Sequence, residues 1–194
     1  KKLKIENSEI NTGFNSDSNN YIISSGNYKL NDLTLDKYSI TSKIKKNIYD
    51  LSINLDYSDD LNFEIINYRK DKGKIANVTL DINVKGDEIH LKKVLFKENN
   101  KKIFLKDLKF SKTKFVTLNK IDVKTFDKKG LQNSFEIDYN NNLRISGKKY
   151  DAANLNKFIN KKTTTNNFKT VNKDIEINLE QVLTPLSETL KNFR

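Results

Sequence analysis

The chain has no cysteine, no methionine and no tryptophan, and only one proline and six glycines among its 194 residues. Without cysteine it can form no disulfide, no thiolate metal site and no cysteine nucleophile. A single histidine, His90, completes no ordinary zinc or iron ligand set. No glycine-rich phosphate loop, no Gly-x-Ser-x-Gly elbow and no calcium-loop spacing is present. Long apolar runs are missing too. Stretches such as Tyr21-Ile22-Ile23 and Val94-Leu95-Phe96 are three residues long, against roughly 18–20 needed to cross a bilayer as a helix. No signal-peptide pattern occurs. With no initiator methionine, and with Thr184 to Arg194 running apolar and basic to the end, the chain reads as a piece of a larger protein. Any membrane anchor would then lie in segments outside it.

Arginine is scarce as well. The net charge is +11, but of 36 basic residues only Arg69, Arg144 and Arg194 are arginine, leaving 33 lysines. Surfaces that read phosphate favour the planar guanidinium fork, and the lysine and asparagine excess matches AT-rich coding. A dedicated nucleic-acid binder is therefore not expected.

What is present is alternation. Leu51, Ile53, Leu55 and Tyr57 alternate with polar residues, as do Val78, Leu80, Ile82 and Val84. The same holds for Phe135, Ile137 and Tyr139, for Leu143 and Ile145, for Ile175, Ile177 and Leu179, and for Leu61, Phe63 and Ile65. A period of two marks strands with one wet face. Polar turns separate the runs at Lys85-Gly86-Asp87-Glu88, Glu98-Asn99-Asn100-Lys101 and Asn140-Asn141-Asn142, where asparagine tolerates the positive φ that scarce glycine would otherwise supply. The fold class is mainly β: a long antiparallel meander curled into a groove or a sandwich, with one or two short helices. One helix is expected from Asp151 through Ala152, Leu155, Phe158 and Ile159. A second is expected through Leu183, Leu186 and Leu190, with Thr184 and Pro185 at its start. The polar stretch Asn7 to Asn20 reads as a loop.

The chain is expected to divide into weakly patterned strands and loops over 1–48 and an antiparallel sheet closing with a short helix over 49–160. A polar loop follows over 161–173, then a strand and helix over 174–194 leading into a following unit. No repeat of fixed period supports a propeller.

Catalytic groups are not apparent, and enzyme activity is not expected. His90 should face solvent from a strand, opposite Ile89 and Leu91. Asp59-Asp60 and Asp87-Glu88 fall in turns, where adjacent carboxylates are solvated. Phe110, Phe115, Phe126 and Phe135 sit among lysines as a base-stacking platform would, yet on alternating strands they read as core. No cofactor is implied.

The run Asn142-Leu143-Arg144-Ile145-Ser146-Gly147-Lys148-Lys149-Tyr150-Asp151-Ala152-Ala153-Asn154-Leu155 resembles the segment that closes a β domain in large AsmA-like proteins of bacterial envelopes. The preceding strands Ala76 to Val84, Ile89 to Phe96 and Ile103 to Phe110 follow that family's order, so the resemblance covers about Tyr49 to Arg194. It implies a periplasmic segment of a protein anchored in the inner membrane. It also implies a curled sheet whose apolar groove passes phospholipid between membranes or maintains the envelope. No residue role is carried over, because Gly147 and Asp151 read as a strand end and a helix cap. The inward residues Leu51, Ile53, Leu55, Val78, Leu80, Ile82, Val84, Phe135 and Ile137 are the candidates for contact with phospholipid acyl chains. They could equally form an ordinary closed core, a geometric distinction that alternation leaves open. Two other classes stand beside this one. A basic polyanion-binding β-module would cluster Lys92, Lys93, Lys101, Lys102, Lys106, Lys112 and Lys114 on one face, and a purely structural or adhesive β-domain would close its core.

Overall fold

A sheet with one dry and one wet face needs alternation, and the alternating segments of this chain pair side by side. The computed structural model describes residues 2–14, 20–30, 34–139, 142–155, 174–186 and 188–194. Its strands are β1 (Leu3–Gly13), β2 (Asn20–Leu30), β3 (Asp36–Lys45), β4 (Ile48–Tyr57), β5 (Leu61–Phe63), β6 (Tyr68–Lys70), β7 (Ala76–Lys85) and β8 (Glu88–Glu98). They continue with β9 (Lys101–Ser111), β10 (Lys114–Thr117), β11 (Lys120–Asp127), β12 (Gly130–Tyr139), β13 (Leu143–Asp151), β14 (Ile175–Leu183) and β15 (Thr189–Phe193). All but β5 and β6 belong to one 13-stranded sheet in near-sequential order, β1-β2-β3-β4-β7-β8-β9-β11-β12-β13-β14-β15, with β10 paired to β9. The mainly β meander is thus the fold. The sheet stays open, and β3 pairs with β4 across residue 48 without interruption.

Short turns make the meander possible. Lys46 and Asn47 both hold positive φ, 46° and 61°, the geometry that matches a two-residue hairpin loop to strand twist. Asn67 and Asn99 also take positive φ, so asparagine does stand in for glycine. One pairing breaks the antiparallel rule. β13 and β14 run parallel, Ile145 opposite Ile177 and Gly147 opposite Leu179, and the chain between them is long enough for the crossover that parallel strands require.

Several expectations are corrected. Leu183, Leu186 and Leu190 do not lie on a helix: β14 runs to Leu183, the chain turns at Pro185 and Leu186, and β15 returns with Leu190 opposite Val182. The Thr184 N–H donates to the Glu188 carbonyl at 2.8 Å, closing the hairpin. Asn7 to Asn20 is not a loop throughout, because β1 occupies its first half and Asn20 opens β2. Ile65 leaves the expected strand, since residues Glu64–Ile66 form a 3-10 turn. Of the helix expected from Asp151 the described residues hold only the start, where Leu155 is helical and Asp151 ends β13 in the extended backbone that an N-cap takes. Its carboxylate still accepts the Ala153 N–H at 3.1 Å, as a cap would. Phe158, Ile159 and the loop 161–173 lie outside the described residues.

Candidate functional site

Residues directly opposite on paired strands point to the same face, so register alone maps the apolar side. Ile40 lies opposite Ile53, which lies opposite Leu80, and the row continues through Val94, Leu105, Ile121, Ile137, Ile145 and Ile177. Nine adjacent strands each contribute one aliphatic side chain to this row. None of the nine is fully buried; each keeps part of its surface exposed. A closed β-sandwich would have covered them with a second sheet.

Exposure is graded along the strands. One step toward one end, the next row is buried from β8 onward, with Phe96 at 6%, Ile103 at 8%, Val123 at 3%, Phe135 at 5% and Leu179 at 2%, while Leu55 and Val78 in the same row stay partly exposed. In the opposite direction come Leu51, Ile82, Leu91 and Leu108, then Tyr49, Val84, Ile89 and Phe110. Tyr49 and Ile89 are each 41% exposed. Phe115 of β10 packs edge-on against Phe110 and Tyr139, with centroids at 6.5 and 5.9 Å, and extends this aromatic rim. From buried row to rim is three steps of two residues, about 20 Å at strand rise, which exceeds the ~15 Å half-thickness of a bilayer's hydrocarbon core.

The buried end is sealed by a cap inserted between β4 and β7, comprising β5, the 3-10 turn and β6. Its Phe63 and Tyr68 stack on each other and meet Phe96 edge-on, with the three centroid distances between 6.0 and 6.2 Å. Around this apolar contact the seat is polar. Fully buried Asn133 donates to the Ile66 carbonyl and to Thr125 Oγ1, both at 2.8 Å, and accepts the Asp151 N–H at 2.8 Å. Gln132 donates to the Asn67 carbonyl at 2.6 Å, and the Tyr150 hydroxyl to the Ile65 carbonyl at 2.8 Å. Asn67 donates to Asp151 at 2.8 Å. Its neighbour Tyr68 donates to Glu98 at 2.5 Å. β13 and β8 are four strand spacings apart, about 19 Å on a flat sheet, yet adjacent cap residues reach both. The sheet therefore curls around the cap with its apolar face concave.

Ionisable groups beneath the cap respond to burial. The Tyr68 hydroxyl is pushed up by burial and by the Glu98 carboxylate it donates to. Burial also raises the Glu98 carboxyl, but the Tyr68 hydroxyl and the Lys101 ammonium at 3.0 Å outweigh it and hold the group below its ordinary value. Lys70 is fully buried and lowered by burial; its ammonium donates to the Asp59 carbonyl at 2.6 Å and the Asp71 carbonyl at 3.2 Å.

The nine candidate groove residues all lie on the concave face. Eight are partly exposed, with Leu55 opposite Val78, Ile53 opposite Leu80 and Leu51 opposite Ile82. Phe135 is the exception, packed beneath the cap against Tyr150 with ring centroids at 5.1 Å. Sequence reading missed Ile40, Val94, Leu105, Ile121, Ile145 and Ile177 as members of the row. The cue was available for Ile40, Ile121, Ile145 and Ile177, which lie on alternating runs, whereas Val94 and Leu105 sit in contiguous apolar stretches where only register tells the two faces apart. Of the lysines that a polyanion-binding face would group, Lys93, Lys102 and Lys106 share the convex face. Lys92 there pairs with Asp50 at 2.8 Å, whereas Lys101 turns inward to Glu98. Lys112 and Lys114 lie at the turn between β9 and β10.

His90 points away from Ile89 and Leu91 but is not simply solvated: its Nε2 lies 2.9 Å from Asp107. Burial raises the Asp107 carboxyl, while the contacts from His90 and Asn119 more than reverse it. This pair clamps a bulge where Asp107 takes φ 55°. Among the described residues, no group of three or more acidic or histidine side chains is placed to hold a metal ion, and no helix is long and apolar enough to cross a membrane. No family model, curated protein or solved structure matches this chain.

Proposed function

We propose that this chain is a non-catalytic, lipid-binding segment whose concave face shields phospholipid acyl chains from water. The observation that carries this reading is the nine-strand aliphatic row with no fully buried member, open toward the aromatic rim and sealed at the other end. Each CH₂ moved from water onto that face is worth about 0.8 kcal/mol, so one chain lying along the strands would gain several kcal/mol without any polar recognition. The resemblance of Asn142 to Leu155 and the strands before it to AsmA-like envelope proteins supports the same reading. It also suggests the setting: the periplasm, within a protein held in the inner membrane by segments outside this chain, passing phospholipid between membranes.

Native mass spectrometry of the purified chain, with lipid extraction from the same sample, tests the proposal. Phospholipid is expected at a defined stoichiometry. Replacing both Leu80 and Ile82 with aspartate, in a variant whose circular dichroism stays β-rich, should abolish it. A lipid-free wild-type chain that takes up nothing from vesicles would refute the proposal and favour a purely structural β-domain.

A further inference from the structure

The convex face carries charge in an order that folding alone does not favour. On β8, β9 and β11, Lys93 lies directly opposite Lys106, which lies opposite Lys120. Two steps along the strands, Lys97 lies opposite Lys102, which lies opposite Lys124. Four directly opposed lysine pairs result, and like charges in that position destabilise a sheet. Lys102 is partnered by Asp122 and Lys120 by Glu136, while Lys93, Lys97 and Lys106 form no ion pair among the described residues. Between the two rows Leu95 lies opposite Phe104, an apolar pair in the middle of the array, and Phe104 lies opposite Asp122; Asp81 and Asp138 lie opposite Lys93 and Lys120 at the two ends of the first row, so the lysines outnumber the carboxylates on the crest without excluding them. These three strands sit at the centre of the stretch from β4 to β13 that curls around the cap, and so at the crest of the convex side.

We propose that this crest is a docking surface for an anionic lipid bilayer. A two-dimensional grid of ammonium groups suits a layer of headgroups, where attraction needs charge but no fixed geometry. The near absence of arginine fits the same partner, since ammonium groups act as point charges and lack the guanidinium's bidentate fork. A crest meets a flat layer first along its highest strands, which are the strands that carry the grid. Leu95 and Phe104 add a small apolar contact between the charges. A single-stranded nucleic acid would instead call for exposed aromatic platforms, and Phe104 is only partly exposed. The inference is independent of acyl-chain binding in the concave face, which lies on the other side of the sheet.

Vesicle co-sedimentation tests it with the intact chain. Each lysine near an anionic leaflet contributes about fivefold to affinity. Binding to vesicles of phosphatidylserine and phosphatidylcholine should therefore fall at least tenfold in a Lys97→Glu, Lys106→Glu variant. Binding should also fall steeply from about 0.1 M to about 1 M salt, as the Debye length shrinks from about 10 Å to about 3 Å. The variant's melting temperature should hold or rise, because Lys106→Glu turns its opposed pairs with Lys93 and Lys120, and Lys97→Glu its pair with Lys102, from like-charge into attractive ones; this separates lost docking from lost folding. The Leu80→Asp, Ile82→Asp variant should still bind these vesicles, whatever becomes of its acyl-chain binding. Equal binding to pure phosphatidylcholine, or unchanged binding by the folded lysine variant, would overturn the proposal. So would tighter binding to a single-stranded oligonucleotide than to the anionic vesicles.

Discussion

Replacing Asn133 with alanine removes one side chain that satisfies three partners at once, all at 2.8 Å: the Ile66 carbonyl of the cap, Thr125 Oγ1 of β11 and the Asp151 N–H of β13. The side chain is fully buried, so water cannot take its place without opening the cap. Thr125 keeps Gln132 at 3.2 Å, but the Ile66 carbonyl and the Asp151 N–H lose the partner that Asn133 supplied. Each stranded buried group costs about 1–3 kcal/mol, which puts the loss near 4 kcal/mol. For a chain of this size that corresponds to a drop in Tm of about 8–16 °C. Urea titration and thermal melting measure the loss, and hydrogen exchange by mass spectrometry locates it. Protection should fall first in peptides spanning 61–70, while the hairpins of β2 and β3 keep theirs. A loss below about 1 kcal/mol, or uniform deprotection of the whole sheet, would refute the idea that this side chain pins the cap.

Two further perturbations probe the same end of the molecule. Gly147 holds φ 154° and faces β12 so closely that an added Cβ would lie 2.4 Å from the Ser134 carbonyl oxygen and 2.5 Å from Phe135 Cα. Gly147→Ala should thus cost about 2–4 kcal/mol through overpacking and strain, read by urea titration; a change under about 1 kcal/mol would contradict the close approach. Glu98 is held below its ordinary value near 4.5 in the folded chain. Its contribution is therefore complete above that value and disappears as pH falls through the lower, folded one. Wild-type stability should decline between about pH 5 and about pH 3, and Glu98→Gln should flatten part of that decline. An identical pH profile for the two proteins would remove Glu98 from the account.

The strands most legible in the sequence are those with one wet and one dry face. Leu51 to Tyr57 and Val78 to Val84 alternate because the pleat turns every second residue to the concave side of the sheet. β1 escaped notice for the converse reason: an edge strand exposed on nearly all its residues needs no apolar period. The spacing of Leu183, Leu186 and Leu190 imitates a helix only because a hairpin turn at Pro185 shifts the phase between two strands. Of the cap only β5, with Leu61 and Phe63, was legible. The cap's anchors Asn67, Gln132 and Asn133 look like surface residues until the fold buries them together, and fully buried Lys70 carries no sequence sign of its burial. The groove candidates were individually readable, but whether anything covers them depends on the curl of the sheet.

The cap also bears on how the chain reaches this shape. Antiparallel neighbours in the sheet are mostly neighbours in sequence, joined by short turns, so hairpins can form one after another with little loop-closure entropy. The side-chain hydrogen bonds that span more than 60 residues are a different matter. Among the described residues all five run from Ile65, Ile66 or Asn67 to residues between Gln132 and Asn154. These contacts become available only after β7 to β13 are in place, which makes cap docking a late step in folding. Mutations at Asn67 or Asn133 should accordingly speed unfolding while leaving the folding rate nearly unchanged. A strip of meander can then exist before its curvature is fixed, and the last contacts to form are those that set how tightly it bends.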